Sequence, residues 1–214
     1  LTLGHFVGTY VFSRDHKVIG LQFLFSTLLW FLVGGLLALG IRWQLAWPWQ
    51  NMPVLGNMLF SAEGGQISPE FYTTLFTMHA TVMIFLVIIP ILAGAFGNYL
   101  IPLMLGARDM VFPYVNMLSY WIYLTAVLVL IASFFVPGGP TGAGWTLYPP
   151  QAITAGTPGS NGGIILMLIS LILFVAGFTM GGLNYIVTTL QYRTRGMTLM
   201  RLPLTVWGFF TATV

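Results

Sequence analysis

The chain contains no cysteine, so a disulfide or a thiolate metal centre cannot be built from these 214 residues. Charge is nearly absent as well. Seven Lys or Arg and four Asp or Glu amount to 5% of the chain, against roughly 25% in a soluble domain. So few charges cannot cover a water-facing surface, which excludes an ordinary soluble fold. The net charge of +3 is too small and too dispersed for a nucleic-acid partner. Residues 1–17 hold His5, Arg14, Asp15, His16 and Lys17 around a short apolar patch, a pattern unlike a secretory signal. Period-two alternation is also missing. The apolar runs are continuous, which points to helices rather than the strands of a membrane barrel.

What is present is hydrophobicity: 57% of residues are apolar and the mean hydropathy is +0.91. A membrane helix needs about 20 apolar residues. The runs predict an all-α, polytopic transmembrane helix bundle forming a single domain. Its spans are expected at about 18–45, 70–105, 113–136 and 163–190, with the start of a fifth at 202–214. A Trp-, Pro- and Gly-rich loop with Glu63 follows the first span, and an uncharged Gly/Pro/Ser loop follows the third. The fifth run has 13 residues, about 20 Å of helix against a hydrocarbon core of about 30 Å. The expectation is that the sequence is the N-terminal part of a longer protein.

Arg14, Lys17, Arg108, Arg193, Arg195 and Arg201 all fall on one side of this arrangement, against Arg42 alone on the other. The positive-inside rule makes the six-cation side the inner one. His79 then lies in the outer half of the second span and Arg42 near the outer end of the first. Asp109 lies at the inner face, and Asn98, Asn116 and Asn184 fall on the inner side of three spans. His79 and Asp109 are 30 residues apart, about 45 Å if all helical, and so are expected towards opposite faces.

An ionisable group inside a membrane marks a functional candidate. A neutral imidazole at that depth suits an axial haem ligand, and it suits equally a histidine hydrogen-bonded to a neighbouring helix. Arg42 requires an anion, a carbonyl or the interface, and snorkelling to the headgroups explains it as well. Asp109 beside Arg108 reads as a proton-entry acid or as a solvated turn. Pro90 predicts a kink in the second span, and Gly94 and Gly97 permit close approach of a neighbour.

The runs MHATVMIF (78–85), GNYLIPLMLGARDMVFP (97–113) and GWTLYPP (144–150) resemble subunit I of the type A haem–copper oxygen reductases. RDHKVIG (14–20) and GMTLMRLPLTVW (196–207) are similar to it too, and the matches follow the family's order over nearly the whole chain. The resemblance implies a twelve-helix fold and a terminal respiratory oxidase, cytochrome c oxidase, that reduces oxygen to water and pumps protons. It implies that His79 ligates the iron of a low-spin haem, haem a, with Arg42 at its formyl group and Trp145 near its propionates. It also implies that Asp109 is the acid at the mouth of the D-channel, with Asn98, Asn116 and Asn184 just inside. The high-spin haem and copper are expected on later helices outside this chain, and no residue here is assigned to oxygen reduction itself. The implied partners are oxidase subunits II and III, cytochrome c or another c-type haem donor, and the lipid bilayer. The implied location is a bacterial cytoplasmic membrane rather than the mitochondrial inner membrane.

The chain departs from the family at several positions. Gln44 stands where an acid contributes to a cation site in some members. Gly177 and Phe178 stand where many members have a serine pair, and Met117 replaces a second asparagine. Quinol oxidases of the same family carry polar quinone ligands where this chain has Val33, Leu37 and Phe71, which favours cytochrome c as the donor. A transporter with His79 and Asp109 as relay groups is the alternative of a different class, and it would be colourless.

Overall fold

A computed structural model describes residues 2–53, 56–59 and 64–214. Glu63 of the first loop lies outside the described residues. Among those described, the secondary structure is helical throughout, with no strand. Four helices are long and apolar enough to cross a membrane: His16–Ala46, Pro69–Leu105, Pro113–Ala132 and Gly162–Gln191. A shorter apolar helix, Leu204–Thr213, follows a basic turn.

Local chemistry explains where the helices begin and stop. Before the second span, the Ser68 hydroxyl accepts from the Phe71 N–H at 3.2 Å and Pro69 occupies the first turn; proline there sacrifices only an N–H that has no helical partner. Gly106 ends that span in the left-handed region at φ 69°, which glycine adopts without strain. The third span stops at Ala132 rather than near residue 136. The N–H groups of Ser133, Phe134 and Phe135 each bond back three residues, and the Ser133 hydroxyl donates to the Leu130 carbonyl at 2.5 Å. The chain thus tightens before Pro137 and Gly138 break it.

Where Pro90 predicts a kink, the second span is wound as π-helix over Val82–Ile88 and Pro90–Gly97. Proline lacks an N–H and its ring crowds the preceding turn, so a wider winding relieves both effects.

The chain divides into two compact units. One comprises 1–28, 87–126 and 171–214. Its core gathers Ile101, Leu105, Met110, Tyr185, Leu202 and Val206. Beside them Phe23 packs with Tyr120, Tyr123 and Phe178 at ring separations of 5.1, 5.2 and 6.1 Å. The Tyr185 hydroxyl donates to the Ala93 carbonyl. The other unit comprises 29–86 and 127–170. In it Gly34 meets Met83, and Gly40 meets Leu75. Much of the first span remains exposed, with Phe25, Leu28, Leu29, Leu32, Leu36 and Leu39 forming an apolar stripe suited to lipid or a further membrane helix.

Close helix approach depends on glycine at particular positions. A Cβ on Gly94 would stand 2.6 Å from the Phe23 ring, whereas one on Gly35 would meet nothing within 4 Å. Gly94→Ala is expected to destabilise the fold by about 1–3 kcal/mol through overpacking, and Gly35→Ala to leave it unchanged. Thermal denaturation of the two purified variants in detergent measures the difference.

Candidate functional site

The candidate residues fall in two groups, one in each unit. His79, Arg42 and Trp145 belong to the unit of 29–86 and 127–170, and Asp109, Asn98, Asn116 and Asn184 to the other.

His79 is half-buried, and its Nδ1 lies 2.9 Å from the Gly34 backbone carbonyl. A carbonyl only accepts, so Nδ1 carries the proton and donates. Nε2 then keeps its lone pair, the atom by which a neutral imidazole binds a metal. The bond requires the two helices to touch at Gly34, where a Cβ would stand 2.7 Å from the Met83 sulfur. One nitrogen of His79 is thus bonded to a neighbouring helix, and the other has no hydrogen-bond partner among the described residues.

Arg42 is exposed and lines a cavity of about 800 Å³ with Leu37, Gly40, Phe71, Leu75 and Phe134. Among the described residues it is the only charged one lining that cavity, and His79 is not on the wall. Trp145 lies 39% exposed, its ring 6.1 Å from Phe85, and its loop is anchored by the Gly144 N–H on the Thr77 hydroxyl at 3.0 Å. The donor set fits a haem ligand: an oriented imidazole with one free nitrogen, in an apolar unit. No group of three His, Asp or Glu side chains that would hold a bare metal ion occurs among the described residues.

Asp109 sits on the loop between the second and third spans, half-buried. Burial raises its proton affinity above the usual carboxylate range, while the Met110 N–H, the charge of His16 and the His16 N–H pull it back, and Asp15 opposes them. Met110 N–H donates to Oδ1 at 2.7 Å. The raised value has a definite sign for stability. The folded state favours protonated Asp109, so its contribution is complete at low pH and is lost as pH rises through the folded pKa.

The three asparagines differ. Asn184 has both polar atoms engaged: Oδ1 accepts from the Phe112 N–H and Nδ2 donates to the Phe112 carbonyl, each at 3.1 Å. With the Thr188 hydroxyl accepting from the Val111 N–H at 3.1 Å, it holds the Asp109 loop to the fourth span. Asn98 donates to the Gly94 carbonyl at 2.7 Å, but among the described residues its Oδ1 has no partner, and neither polar atom of the fully buried Asn116 has one. Such atoms are suited to water.

Gly177 and Phe178 line a cavity of about 40 Å³ with Asn98, Ser119 and Tyr185. A Cβ on Gly177 would stand 3.1 Å from the Ser119 carbonyl, so the glycine keeps space open against the third span. Phe178 packs instead into the aromatic cluster, 4.5 Å from Phe174. One residue beyond the sequence expectation joins this group. His16 is 2% exposed with its ring on the Asn98 carbonyl, 2.9 Å away. In RDHKVIG it looks like one more charge in a solvated segment, and only its position as the last polar residue but one before an apolar run hinted otherwise.

A family model described as "Cytochrome C and Quinol oxidase polypeptide I" matches residues 18–214. The chain belongs to this family. Among curated relatives it is similar to an alternative cytochrome c oxidase subunit 1 of Bradyrhizobium diazoefficiens, 61% identical over 205 residues, which are 96% of this chain and 32% of the relative. It is 37% identical over 206 residues to cytochrome c oxidase subunit 1 of Thermostichus vulcanus, covering 96% of this chain and 34% of that one. A putative cytochrome c oxidase subunit 1-beta of Streptomyces coelicolor is 36% identical over 213 residues, covering 100% and 34%. The chain thus spans about a third of the length of the curated relatives it matches. Family membership accounts for the membrane helices and establishes an oxidase relationship for the chain.

Two outcomes follow from the Asp109 loop. Asn184→Ala strands the Phe112 N–H, while the Phe112 carbonyl keeps the Asn116 N–H at 3.0 Å, and the loss is expected to cost about 1–3 kcal/mol, seen as a lower melting temperature. In an infrared pH titration the Asp109 carboxyl is expected to protonate above the usual carboxylate range; a midpoint within or below that range contradicts the burial argument.

Proposed function

We propose that this chain forms the low-spin haem side and the proton-entry side of a terminal respiratory oxidase. In this reading the whole enzyme passes electrons through the low-spin haem to a haem–copper centre, reduces oxygen to water and pumps protons. The observation that carries the proposal is the His79 hydrogen bond: Nδ1 held by the Gly34 carbonyl at 2.9 Å presents Nε2 as an oriented, neutral ligand.

When bound, haem a supplies a one-electron couple whose potential depends on its ligands and surroundings. His79 contributes Nε2 to the iron. Arg42, the one charged side chain lining that apolar cavity among the described residues, donates to a polar ring substituent such as a formyl. Trp145, on an anchored loop, serves the propionate side. The high-spin haem and copper belong to residues outside this chain.

Proton entry falls to the other group. Asp109 takes up protons from the inner aqueous phase, being half-buried and favoured in its protonated form. Asn98 and Asn116 hold water through their unpartnered atoms, since an amide both donates and accepts yet does not ionise near neutral pH. Asn184 acts differently, holding the loop that carries the acid. At the deeper positions, water beside Gly177 does what a serine hydroxyl does elsewhere in the family.

Cytochrome c, or another c-type haem protein, is the proposed electron donor. Leu37 and Phe71, at positions where quinol oxidases carry polar ligands, line a cavity with no acid or histidine on its wall among the described residues, and Val33 is apolar too. Oxidase subunits II and III are the proposed partners, and a bacterial cytoplasmic membrane is the proposed location, in keeping with the sources of the relatives.

The test is made on the full oxidase complex. His79→Ala is expected to abolish the low-spin absorption band and lower the haem-to-protein ratio by one haem. A purified variant with the band and haem content of the parent would overturn the assignment.

A further inference from the structure

Thr73, Thr77 and Thr81 recur every four residues early in the second span, and so share one face of it. A threonine inside a helix commonly bonds its hydroxyl to the carbonyl one turn back. Thr77 donates to the Thr73 carbonyl at 2.9 Å, and Thr81 to the Thr77 carbonyl at 2.8 Å. Donation uses the hydroxyl proton and leaves the oxygen lone pairs free to accept. On the buried Thr77 one of them serves another segment: the Gly144 N–H donates to Oγ1 at 3.0 Å.

The loop is shaped to reach that hydroxyl. Gly144 sits in the left-handed region at φ 83°, which glycine adopts without strain. Two residues earlier the loop backbone lies against the same face. A Cβ on Gly142 would stand 2.9 Å from the Thr73 hydroxyl and 3.3 Å from that of Thr74. The Leu147 N–H donates to the Gly144 carbonyl at 3.1 Å and closes the turn that carries Trp145. Gly144 therefore belongs both to the tie and to the turn. The Trp145 ring meets Phe85, further along the same span, at 6.1 Å.

A loop pinned only for stability could be tied to any residue of the span. This tie starts two residues before His79 and ends one residue before Trp145. Thr77 and His79 stand about 200° apart around the helix, so the hydroxyl does not share the imidazole's face, and its influence runs through the loop. We propose that Thr77 is a positioning residue for the low-spin haem: by holding Gly144 it fixes the Trp145 indole relative to the His79 imidazole. This rests on the reading that His79 takes the iron and Trp145 serves the propionates. The indole N–H only donates. Donation to a carboxylate offsets part of its negative charge, and a propionate that loses that donor favours the ferric state.

The experiment uses the full oxidase complex and reads the midpoint potential of the low-spin haem by spectroelectrochemical titration. Thr77→Val keeps the side-chain shape and removes the acceptor, whereas Thr77→Ser keeps the acceptor. Thr77→Val is expected to lower the midpoint with the low-spin band retained, and Thr77→Ser to hold the parent value. Thr81→Val, which removes a hydroxyl that donates within the helix, is expected to hold it as well. Trp145→Phe is expected to lower the midpoint, and Thr77→Val added to Trp145→Phe to lower it no further. The proposal is overturned by an unmoved midpoint in Thr77→Val, by an equal fall in Thr77→Ser or Thr81→Val, or by a further fall in the double variant. A midpoint unmoved in Trp145→Phe, or a low-spin band kept in His79→Ala, overturns the underlying haem reading instead. Should Thr77→Val not assemble, hydrogen exchange on the parent complex decides: the Gly144 amide is expected to be protected, and exchange at the rate of an open loop overturns the tie.

Discussion

A polar side chain among apolar helices must find a partner, and in this chain the partner is repeatedly a backbone carbonyl. His79 donates to Gly34, His16 and Asn98 bond the carbonyls of Asn98 and Gly94, and Tyr185 donates to Ala93. A helical carbonyl already bonded within its helix keeps a second lone pair. Reaching it requires the helices to approach closely, which small residues allow. Gly34, Ala93 and Gly94 are therefore as much part of the polar architecture as the side chains they receive. The π-wound stretch after Pro90 contains two of these acceptors.

This arrangement explains which features were legible in the sequence. Length and hydropathy set out the four spans because lipid leaves the backbone little choice. The end of the third span was misplaced because Ser133–Val136 is as apolar as helix, and the turn there is made by Ser133 bonding back to Leu130. His79 stood out as an ionisable residue in an apolar run, yet its partner did not, since a carbonyl acceptor has no side-chain signature. His16 went unnoticed for the opposite reason: its neighbours Arg14, Asp15 and Lys17 disguise a buried residue as a solvated one.

The asparagines mark a finer limit. Asn98, Asn116 and Asn184 are alike in sequence, each a lone amide near a helix end. Their surroundings separate them into a loop clamp and two amides with unmet hydrogen bonds. The distinction depends on whether a backbone N–H and carbonyl from another segment come within reach, which no local pattern encodes. Similarly, Gly177 beside Phe178 reads as a loss of two hydroxyls, whereas in the fold one residue opens space and the other fills the aromatic cluster.

Asn184 holds Phe112 at two points with one rigid amide. Thr188 fastens the residue before it, Val111, to the same helix. A segment attached at one point can swivel about it, whereas one attached at two successive residues cannot, so the stretch that carries Asp109 enters the third span at an angle set by the fourth.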